Sequence, residues 1–310
     1  CNLIGGQEEL IFDGSSFAVS EEGHLLSKAR SFREDLIVVN LTSNKTNIFS
    51  AMCREEEIFN ALCLGVKDYF LKTGHEKTVL GLSGGIDSAL VASIAVSALG
   101  KNNVYGISLP SKFSSSHSLN DAKQLATNLG IEYQVIKIHS IIESFETTLK
   151  PSFKNLNSNI AEENIQSRVR GNLLMALANK FGWLVLSTGN KTELALGYCT
   201  LYGDMIGALS VIADLSKNDV YAVSKWINKH NQNCIPINSL LKPPSAELAP
   251  NQVDPFDYSI ISPLVDDIIE KQKPLSVLIN EGFEESLVRD IYKKIKFNEY
   301  KRRQAPPALR

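Results

Sequence analysis

The chain has 310 residues, of which 44% are hydrophobic and 21% charged, enough for one large core or two smaller ones. Its formal net charge of −2 argues against a basic protein that binds nucleic acid or an anionic membrane surface. No apolar run reaches the roughly 20 residues that span a bilayer, and the start lacks an export signal. The five cysteines are scattered without CxxC pairs. We therefore expect a cytoplasmic protein with no nucleic-acid or membrane partner.

The first 45 residues differ in character from the rest of the chain. Between Gly5 and Phe17, turn residues alternate with short apolar runs, a pattern typical of β-hairpins. This segment resembles the closing strands of a nitrilase-like glutamine amidohydrolase domain. The resemblance implies that residues 1–45 are the C-terminal remnant of such a domain. Its catalytic Cys, Glu and Lys would then lie upstream, so Cys1 is interpreted as a small residue at a strand start.

A polar stretch over 40–47 predicts a linker, and an amphipathic helix should follow it. Residues 50–72 begin with three glutamates, and their apolar residues recur at helical spacing. We expect this helix to cover the sheet formed by the residues after it.

From residue 78 onward, apolar runs typical of strands alternate with helical patterns. The predicted strands are 78–82, 104–109, 131–138 and 183–188, and the predicted helices are 88–99, 118–129 and 162–180. This alternation indicates an α/β fold with a doubly wound parallel sheet, buried on both faces. Ligands of such folds bind at the carboxyl ends of the strands.

The first predicted strand leads into Ser83-Gly84-Gly85-Ile86-Asp87-Ser88, just before a helix. Two glycines let a phosphate approach the backbone N–H groups, and the helix N-terminus adds partial positive charge. The spacing and the lysine of a Walker loop are absent. The SGGxDS pattern instead resembles the ATP pyrophosphatase superfamily (adenine nucleotide alpha hydrolase-like, Rossmann-like), which splits ATP between its α and β phosphates. The alternative is an ordinary βα turn in which Asp87 caps the helix.

Polar residues also follow the later strands. Ser111 lies in a hydroxyl-rich loop suited to ATP, although the same loop could simply lead to Ser118 as a helix cap. In the helix from residue 162, Asn164 and Arg168 share one face, which could orient an anionic substrate or be solvated surface. The loop over 197–205 is predicted to be an irregular substrate loop.

Two carboxylates are candidates for a Mg²⁺ site. Glu193 follows the strand that ends at Thr188 and could complete a site begun by Asp87, since nucleotide-bound Mg²⁺ needs only one or two protein carboxylates. Glu193 could otherwise act as a helix-dipole partner. Lys217 follows Ser216, which is predicted to cap a helix, and could reach a phosphate. The proline-broken segment 242–254 is expected to be mobile without ligand.

Taken together, the segments SGGIDSA, LSTGNKTELALGY, TLYGDM, LSKNDVY, PPSAELAPNQ and NEYKRRQAPP resemble the glutamine-dependent NAD synthetase family. The resemblance covers nearly all of 50–310. It implies that residues 46–310 form the synthetase domain, truncated at its C-terminal end. The implied reaction is amidation of deamido-NAD to NAD through an acyl-adenylate, with release of AMP and pyrophosphate. Ammonia would come from glutamine in the full-length enzyme, and the family usually forms homodimers or higher homo-oligomers.

The resemblance also implies roles for individual residues. Asp87, Glu193 and Lys217 would be catalytic, and Asp87 with Glu193 would bind Mg²⁺. Residues implied in ATP binding are Gly81, Leu82, Ser83, Gly84, Gly85, Ile86, Asp87, Ser88, Ser111, Thr188, Lys217 and Ser245. Residues implied in deamido-NAD binding are Asn164, Arg168, Glu193, Tyr198, Cys199, Thr200, Leu201, Asp204 and Lys301.

Two alternatives stay open at this point. The chain could be another adenylating amidotransferase or thiolase with an SGGxDS loop, acting on a purine nucleotide or tRNA. It could also be a nucleotide-binding fragment without activity. The segments beyond SGGxDS favour the NAD synthetase family over the first alternative.

Overall fold

The N-terminal residues form short strands in a computed structural model that describes 1–41, 52–154, 156–231, 233–250 and 252–310, with the backbone of 47–48. β1 (Ile4–Gln7) and β2 (Leu10–Asp13) form an antiparallel hairpin, which confirms the predicted hairpin pattern. β3 (Phe17–Val19) pairs antiparallel with β4 (Leu25–Lys28), and β5 (Asn47–Ile48) joins β4 in parallel. Residues 42–46 of the predicted linker lie outside the described residues, and its last residue belongs to β5 instead.

The predicted amphipathic helix is α1 (Arg54–Thr73), which begins later than expected; positions 50 and 51 are not described. Gly74 ends it in the left-handed conformation that glycine adopts at little cost. The apolar face does not lie directly on the sheet as predicted, because α1 packs mainly against the next helix, a later one and the β1–β2 hairpin. Asp68 of α1 accepts a hydrogen bond from Gly6 N at 2.9 Å, so the hairpin is fixed to the helix.

The central sheet confirms the predicted α/β fold. It contains β6 (Thr78–Gly81), β7 (Val104–Ser108), β8 (Glu132–Val135), β9 (Leu184–Ser187) and β10 (Leu209–Ser210). The strands are all parallel, in the spatial order β10-β9-β6-β7-β8. β10 has two residues and was not predicted. The order reverses between β6 and β9, so these two neighbouring strands flank the topological switch point.

Helices pack on both faces of the sheet. The predicted helices are α2 (Ile86–Leu99), α3 (Ser116–Leu129) and α5 (Ile160–Phe181), each starting two residues before its predicted start. The other helices of the described residues are α4 (His139–Phe153), α6 (Lys191–Leu196), α7 (Lys217–His230), α8 (Ile237–Leu241), α9 (Tyr258–Ile269), α10 (Leu275–Asn280), α11 (Glu285–Phe297) and α12 (Glu299–Arg302). No helix among the described residues is long and apolar enough to cross a membrane.

Strand alternation sends side chains into two separate cores. Leu80 of β6 belongs to the core that also contains side chains of α1, α2, α3 and α7, while Val79 next to it belongs to the core formed with α4 and α5 on the opposite face. Both side chains are fully buried. A doubly wound sheet requires this burial on both faces, and the continuous apolar strands provide it.

The last residues of the chain connect the central sheet to the N-terminal hairpin. Ser210 N of β10 donates to Pro307 O at 2.8 Å, and Arg310 exchanges backbone hydrogen bonds with Glu9 and Ile11 beside β2. Leu309 between them is buried in the core of α1 and α2. Residues 307–310 thus form hydrogen bonds both with the central sheet and with the N-terminal hairpin.

Candidate active site

A cavity of about 310 Å³ opens at the carboxyl ends of β6 and β9, where the strand order reverses. Ligands of open α/β sheets bind at this position because the two flanking loops diverge and leave a crevice. The predicted site residues in its wall are Gly81, Leu82, Ser83, Gly85, Ile86, Asp87, Ser88, Thr188, Glu193, Tyr198, Cys199, Asp204, Lys217 and Ser245. Five separate segments thus bring together residues that are far apart in sequence.

The SGGIDS turn has the conformation expected of an anion-binding loop. Gly84 has φ +78°, and a Cβ there would lie 2.2 Å from Ser118 O, so only glycine fits. The Ser83 and Ser88 hydroxyls lie 3.1 Å apart, and Gly85 N donates to Ser83 Oγ at 3.1 Å. α2 begins at Ile86, inside this motif, so its free N–H groups and its positive dipole end lie at the cavity wall.

Asp87 does not cap its own helix, so the interpretation of SGGIDS as an ordinary capped turn is wrong. Gly85 is the N-cap, without a side-chain bond. Asp87 Oδ2 instead accepts from Lys217 Nζ at 2.6 Å, and Oδ1 accepts from Asn190 Nδ2 at 2.8 Å. Both partners come from distant loops, so the carboxylate joins β6 to the segments after β9.

Lys217 lies between two carboxylates. Its Nζ donates to Glu193 Oε1 at 3.0 Å as well as to Asp87, and its side chain is only 2% exposed. Burial opposes the charge, but Asp87 and Glu193 outweigh it and raise the pKa of Lys217. Lys217 therefore keeps its positive charge in the wall of the cavity.

Glu193 caps the start of its own helix and also bonds Lys217. Asn190 caps α6, and Glu193 Oε2 accepts from Asn190 N at 3.3 Å in a capping box. The other oxygen faces Lys217. Burial raises the pKa of Glu193 to about 7, against the opposing effect of Lys217.

The two carboxylates fit the oxygen donors that a nucleotide-bound Mg²⁺ requires. Asp87 and Glu193 both line the cavity. Their carboxylates lie close together, because each accepts a hydrogen bond from Lys217 Nζ. The described residues contain no group of three or more metal-ligating side chains. Two carboxylates suffice where phosphates and water supply the remaining ligands.

Several residues predicted to bind deamido-NAD hold the loop 197–204 instead of lining the cavity. Lys301 Nζ donates to Gly197 O and Cys199 O, each at 2.7 Å. Asn164 Oδ1 accepts from Thr200 Oγ1 at 2.7 Å, and Arg168 Nε donates to Leu201 O at 3.2 Å. The loop is therefore positioned from two helices, α5 and α12.

Three side chains near or on this loop do line the cavity. Asp204 accepts a hydrogen bond from Thr200 N at 2.7 Å and is exposed to the cavity. The protein packed around its carboxyl raises the pKa of Asp204 to about 6. Burial raises the pKa of the Cys199 thiol to about 12, so it stays neutral. The Tyr198 hydroxyl is buried and has no hydrogen-bond partner in the described part of the chain.

The segment 242–254 covers one side of the cavity, although position 251 within it is not described. Glu247 accepts from Ser115 N, Ser115 Oγ and Ser118 Oγ at the start of α3, at 3.2, 2.9 and 2.7 Å. Ser245 Oγ donates to Gln252 O at 2.5 Å, so the predicted ATP contact lies in a closed turn. These bonds attach a segment that was expected to be mobile.

The sequence prediction also missed residues of the site. Asn190 precedes Glu193 by three positions, and this capping-box spacing could have identified it. Arg170, Lys242 and Glu247 also line the cavity. Lys242 and Glu247 belong to the proline-broken segment that the sequence singled out, whereas nothing in the sequence around Arg170 marks it as a cavity residue. Ser111 and Gly84 do not line the cavity; Ser111 lies in a tight turn with Ser114.

The fold and the site together define a doubly wound nucleotide-binding protein of the ATP pyrophosphatase type, as predicted. A family model described as NAD synthase matches residues 58–305, so the chain belongs to the NAD synthase family.

Individual relatives agree with this assignment. The chain is 49% identical over 319 residues to a glutamine-dependent NAD(+) synthetase of Synechocystis sp., covering 100% of this chain and 57% of the relative. A glutamine-dependent NAD+ synthetase of Acinetobacter baumannii, solved with ADP, superposes with a TM-score of 0.74 at 37% identity, over 99% of this chain and 57% of that one. An NMN synthetase of Francisella tularensis gives a TM-score of 0.68 at 27% identity, covering 81% and 97%. The chain thus spans little more than half of the glutamine-dependent relatives.

Proposed function

We propose that this chain catalyses the ATP-dependent amidation of deamido-NAD to NAD, as a ligase that forms a carbon–nitrogen bond. One observation carries the proposal: within a chain of the NAD synthase family, the buried Lys217 ammonium lies between Asp87 and Glu193 beside the SGGIDS turn. This arrangement suits a polyphosphate whose β and γ groups are held while the α-phosphorus reacts.

The proposed reaction has two steps. A nicotinate carboxylate oxygen attacks the α-phosphorus of ATP, the bond to the β-phosphate oxygen breaks, and pyrophosphate leaves. Ammonia then attacks the carbonyl carbon of the acyl-adenylate, AMP leaves with the bond electrons, and the nitrogen loses one proton. No side-chain nucleophile is required, and the Cys199 thiol, which stays neutral, would be a poor one.

The chain's own groups bind and neutralise the leaving pyrophosphate. The N–H groups at the start of α2 and the hydroxyls of Ser83 and Ser88 would donate to its oxygens, while Lys217 offsets its charge. Asp87 and Glu193 would hold Mg²⁺, which supplies Lewis-acid stabilisation of phosphate charge when bound. Asn164, Arg168 and Lys301 would act by positioning the loop that receives deamido-NAD.

The source of ammonia and the setting of the enzyme belong to the same proposal. Relatives named glutamine-dependent are longer than this chain, and residues 1–45 resemble the end of a glutaminase domain. We therefore assign residues 46–310 to the synthetase and expect the isolated chain to use ammonia but not glutamine. A cytoplasmic location and a homo-oligomer, testable by light scattering, complete the proposal.

The test compares acceptors under one condition. The chain is given Mg²⁺, ATP and ammonium with deamido-NAD, with nicotinate mononucleotide or with xanthosine monophosphate, and AMP release is measured. Release with deamido-NAD at a rate at least tenfold above the other acceptors is expected. A preference for xanthosine monophosphate would favour another adenylating amidotransferase, a preference for nicotinate mononucleotide would favour the activity named in the structural neighbour, and no release with any acceptor would favour an inactive fragment. Asp87→Asn, which keeps the shape of the side chain, serves as the matched inactive variant.

A further inference from the structure

Arg170 is a cation in the wall of the cavity that the predicted site does not include. It lies on α5 and lines the cavity together with Leu109 and Asp204. Its Nε donates to Leu109 O at 3.0 Å, just beyond the carboxyl end of β7. The guanidinium is thus fixed at one end while it borders the cavity.

The other cations of the cavity wall are already paired. Lys217 is bonded to Asp87 and Glu193, and Lys242 Nζ lies 3.2 Å from Asp121 Oδ2. Among the described residues, no carboxylate forms an ion pair with Arg170. Glu247 and Asp204 act on it only at longer range, favouring its charge, while burial lowers the pKa of Arg170 to about 10. Its guanidinium remains charged at neutral pH but lacks a close anionic partner.

The cavity wall carries more negative than positive side chains. Five carboxylates line the cavity, namely Asp87, Glu193, Asp204, Glu247 and Asp254. A polyphosphate entering such a wall meets repulsion that Lys217, already bonded to two carboxylates, offsets only in part. Arg170 is half-buried and has no carboxylate close to it, so the arrangement favours a bound anion.

We infer that Arg170 binds a phosphate oxygen of a bound substrate through the guanidinium nitrogens that Leu109 leaves free. This inference rests on the proposed function. Two substrates could supply the phosphate, ATP or the dinucleotide deamido-NAD. Arg170 is distinct from Arg168, two residues earlier on α5, whose side chain is exposed and bonded to Leu201 O.

Arg170→Gln removes the charge but keeps an N–H donor that can bond Leu109 O, and Arg170→Lys keeps the charge. Lys180→Gln, an exposed position on the same helix, controls for the loss of one positive charge. Calorimetry measures the Kd of each variant for Mg²⁺-ATP, for deamido-NAD and for adenosine, which carries no phosphate. Thermal unfolding verifies that each variant is folded.

Arg170→Gln should raise the Kd of at least one phosphate ligand by about 10- to 100-fold, the range for a hydrogen bond to a charged group. The Kd of adenosine should stay within about twofold. The ligand that weakens identifies the source of the phosphate. Arg170→Lys should recover part of the loss, and Lys180→Gln should show none. Unchanged affinity for both phosphate ligands, or an equal loss of adenosine, overturns the assignment. If the unaltered chain binds ATP and deamido-NAD but releases no AMP, the proposed function fails while the Arg170 comparison stands.

Discussion

At the residue scale, the site depends on one ammonium shared by two carboxylates. The sequence predicted Asp87, Glu193 and Lys217 individually, because each follows a recognisable motif. It could not predict that Lys217 would bond both carboxylates, since it lies 130 positions from Asp87 and only the fold joins them. Arg170 was missed for a related reason. Nothing in its neighbourhood distinguishes a guanidinium that borders the cavity from the exposed one of Arg168.

Lys217→Met should lower the rate of pyrophosphate release by at least about 100-fold, since a preorganised charge near the reacting phosphates is lost. Methionine keeps an unbranched side chain, one atom shorter than that of lysine, but leaves Asp87 and Glu193 without the charge that compensates them. The rate is measured with a coupled pyrophosphate assay. Lys225→Met, on the exposed face of the same helix, should keep the normal rate. Equal rates in both variants would remove Lys217 from the machinery.

Asp204 should make stability depend on pH. Its folded pKa of about 6 lies above its ordinary value, so the folded state binds its proton more tightly than the unfolded state does. Its contribution to the free energy of unfolding is therefore complete at acidic pH and falls as the pH rises from about 4 to about 6.

Asp204→Asn lacks this titration. The free energy of unfolding of the variant, relative to the unaltered chain, should increase between pH 4.5 and pH 7. Urea unfolding at both pH values measures the difference. A constant difference would mean that Asp204 titrates alike in both states.

At the element scale, the strands buried on both faces were predicted well because they have continuous apolar runs. The predicted strand 131–138 is observed only as β8 (Glu132–Val135), whose residues are mostly exposed. The predicted runs over 78–82 and 104–109 correspond to β6 and β7, each observed one residue shorter. α1 was predicted as a helix but misplaced on the sheet, because an amphipathic pattern gives the buried face and not what covers it. β10 has only two residues, which is too short for any period to appear.

The segment 242–250 should depend on Glu247 for its attachment to α3. Glu247→Ala removes three hydrogen bonds to a carboxylate, and its backbone has φ +49°, a conformation that costs energy for any residue except glycine. Hydrogen exchange at the amides of residues 247 and 248 should accelerate by about tenfold or more. Glu247→Gln, which keeps acceptor oxygen, should have a smaller effect. Exchange that is unchanged in Glu247→Ala would show that other contacts hold the segment.

At the scale of the whole molecule, the last residues of the chain contact both the N-terminal hairpin and α1. The resemblance divides the chain near residue 45, yet Leu309 packs beside Gly65 and Ile11, at the contact of α1 with the N-terminal hairpin. A Cβ at Gly65 would lie 2.9 Å from Leu309 Cδ1, so the fit is close. Contacts between sequence ends depend on the assembled fold, and no local pattern predicts them.

Leu309→Ala should lower the free energy of unfolding by about 2 to 5 kcal/mol, because Leu309 is 1% exposed and its removal leaves a cavity. Leu36→Ala, at a position that is 90% exposed, should change it by less than about 0.5 kcal/mol. Equilibrium unfolding in urea measures both. Equal effects in the two variants would mean that the terminal segment is not part of the folded core.

If the site directs a carboxylate onto the α-phosphorus of ATP, an oxygen of that carboxylate must pass into AMP. Deamido-NAD carrying ¹⁸O in its nicotinate carboxylate, turned over with ammonium and Mg²⁺-ATP, tests this most directly by mass spectrometry of the products. We expect AMP that contains one carboxylate ¹⁸O, unlabelled pyrophosphate and an equal amount of NAD. Label in inorganic phosphate together with ADP would contradict it, because that outcome requires attack at the γ-phosphorus.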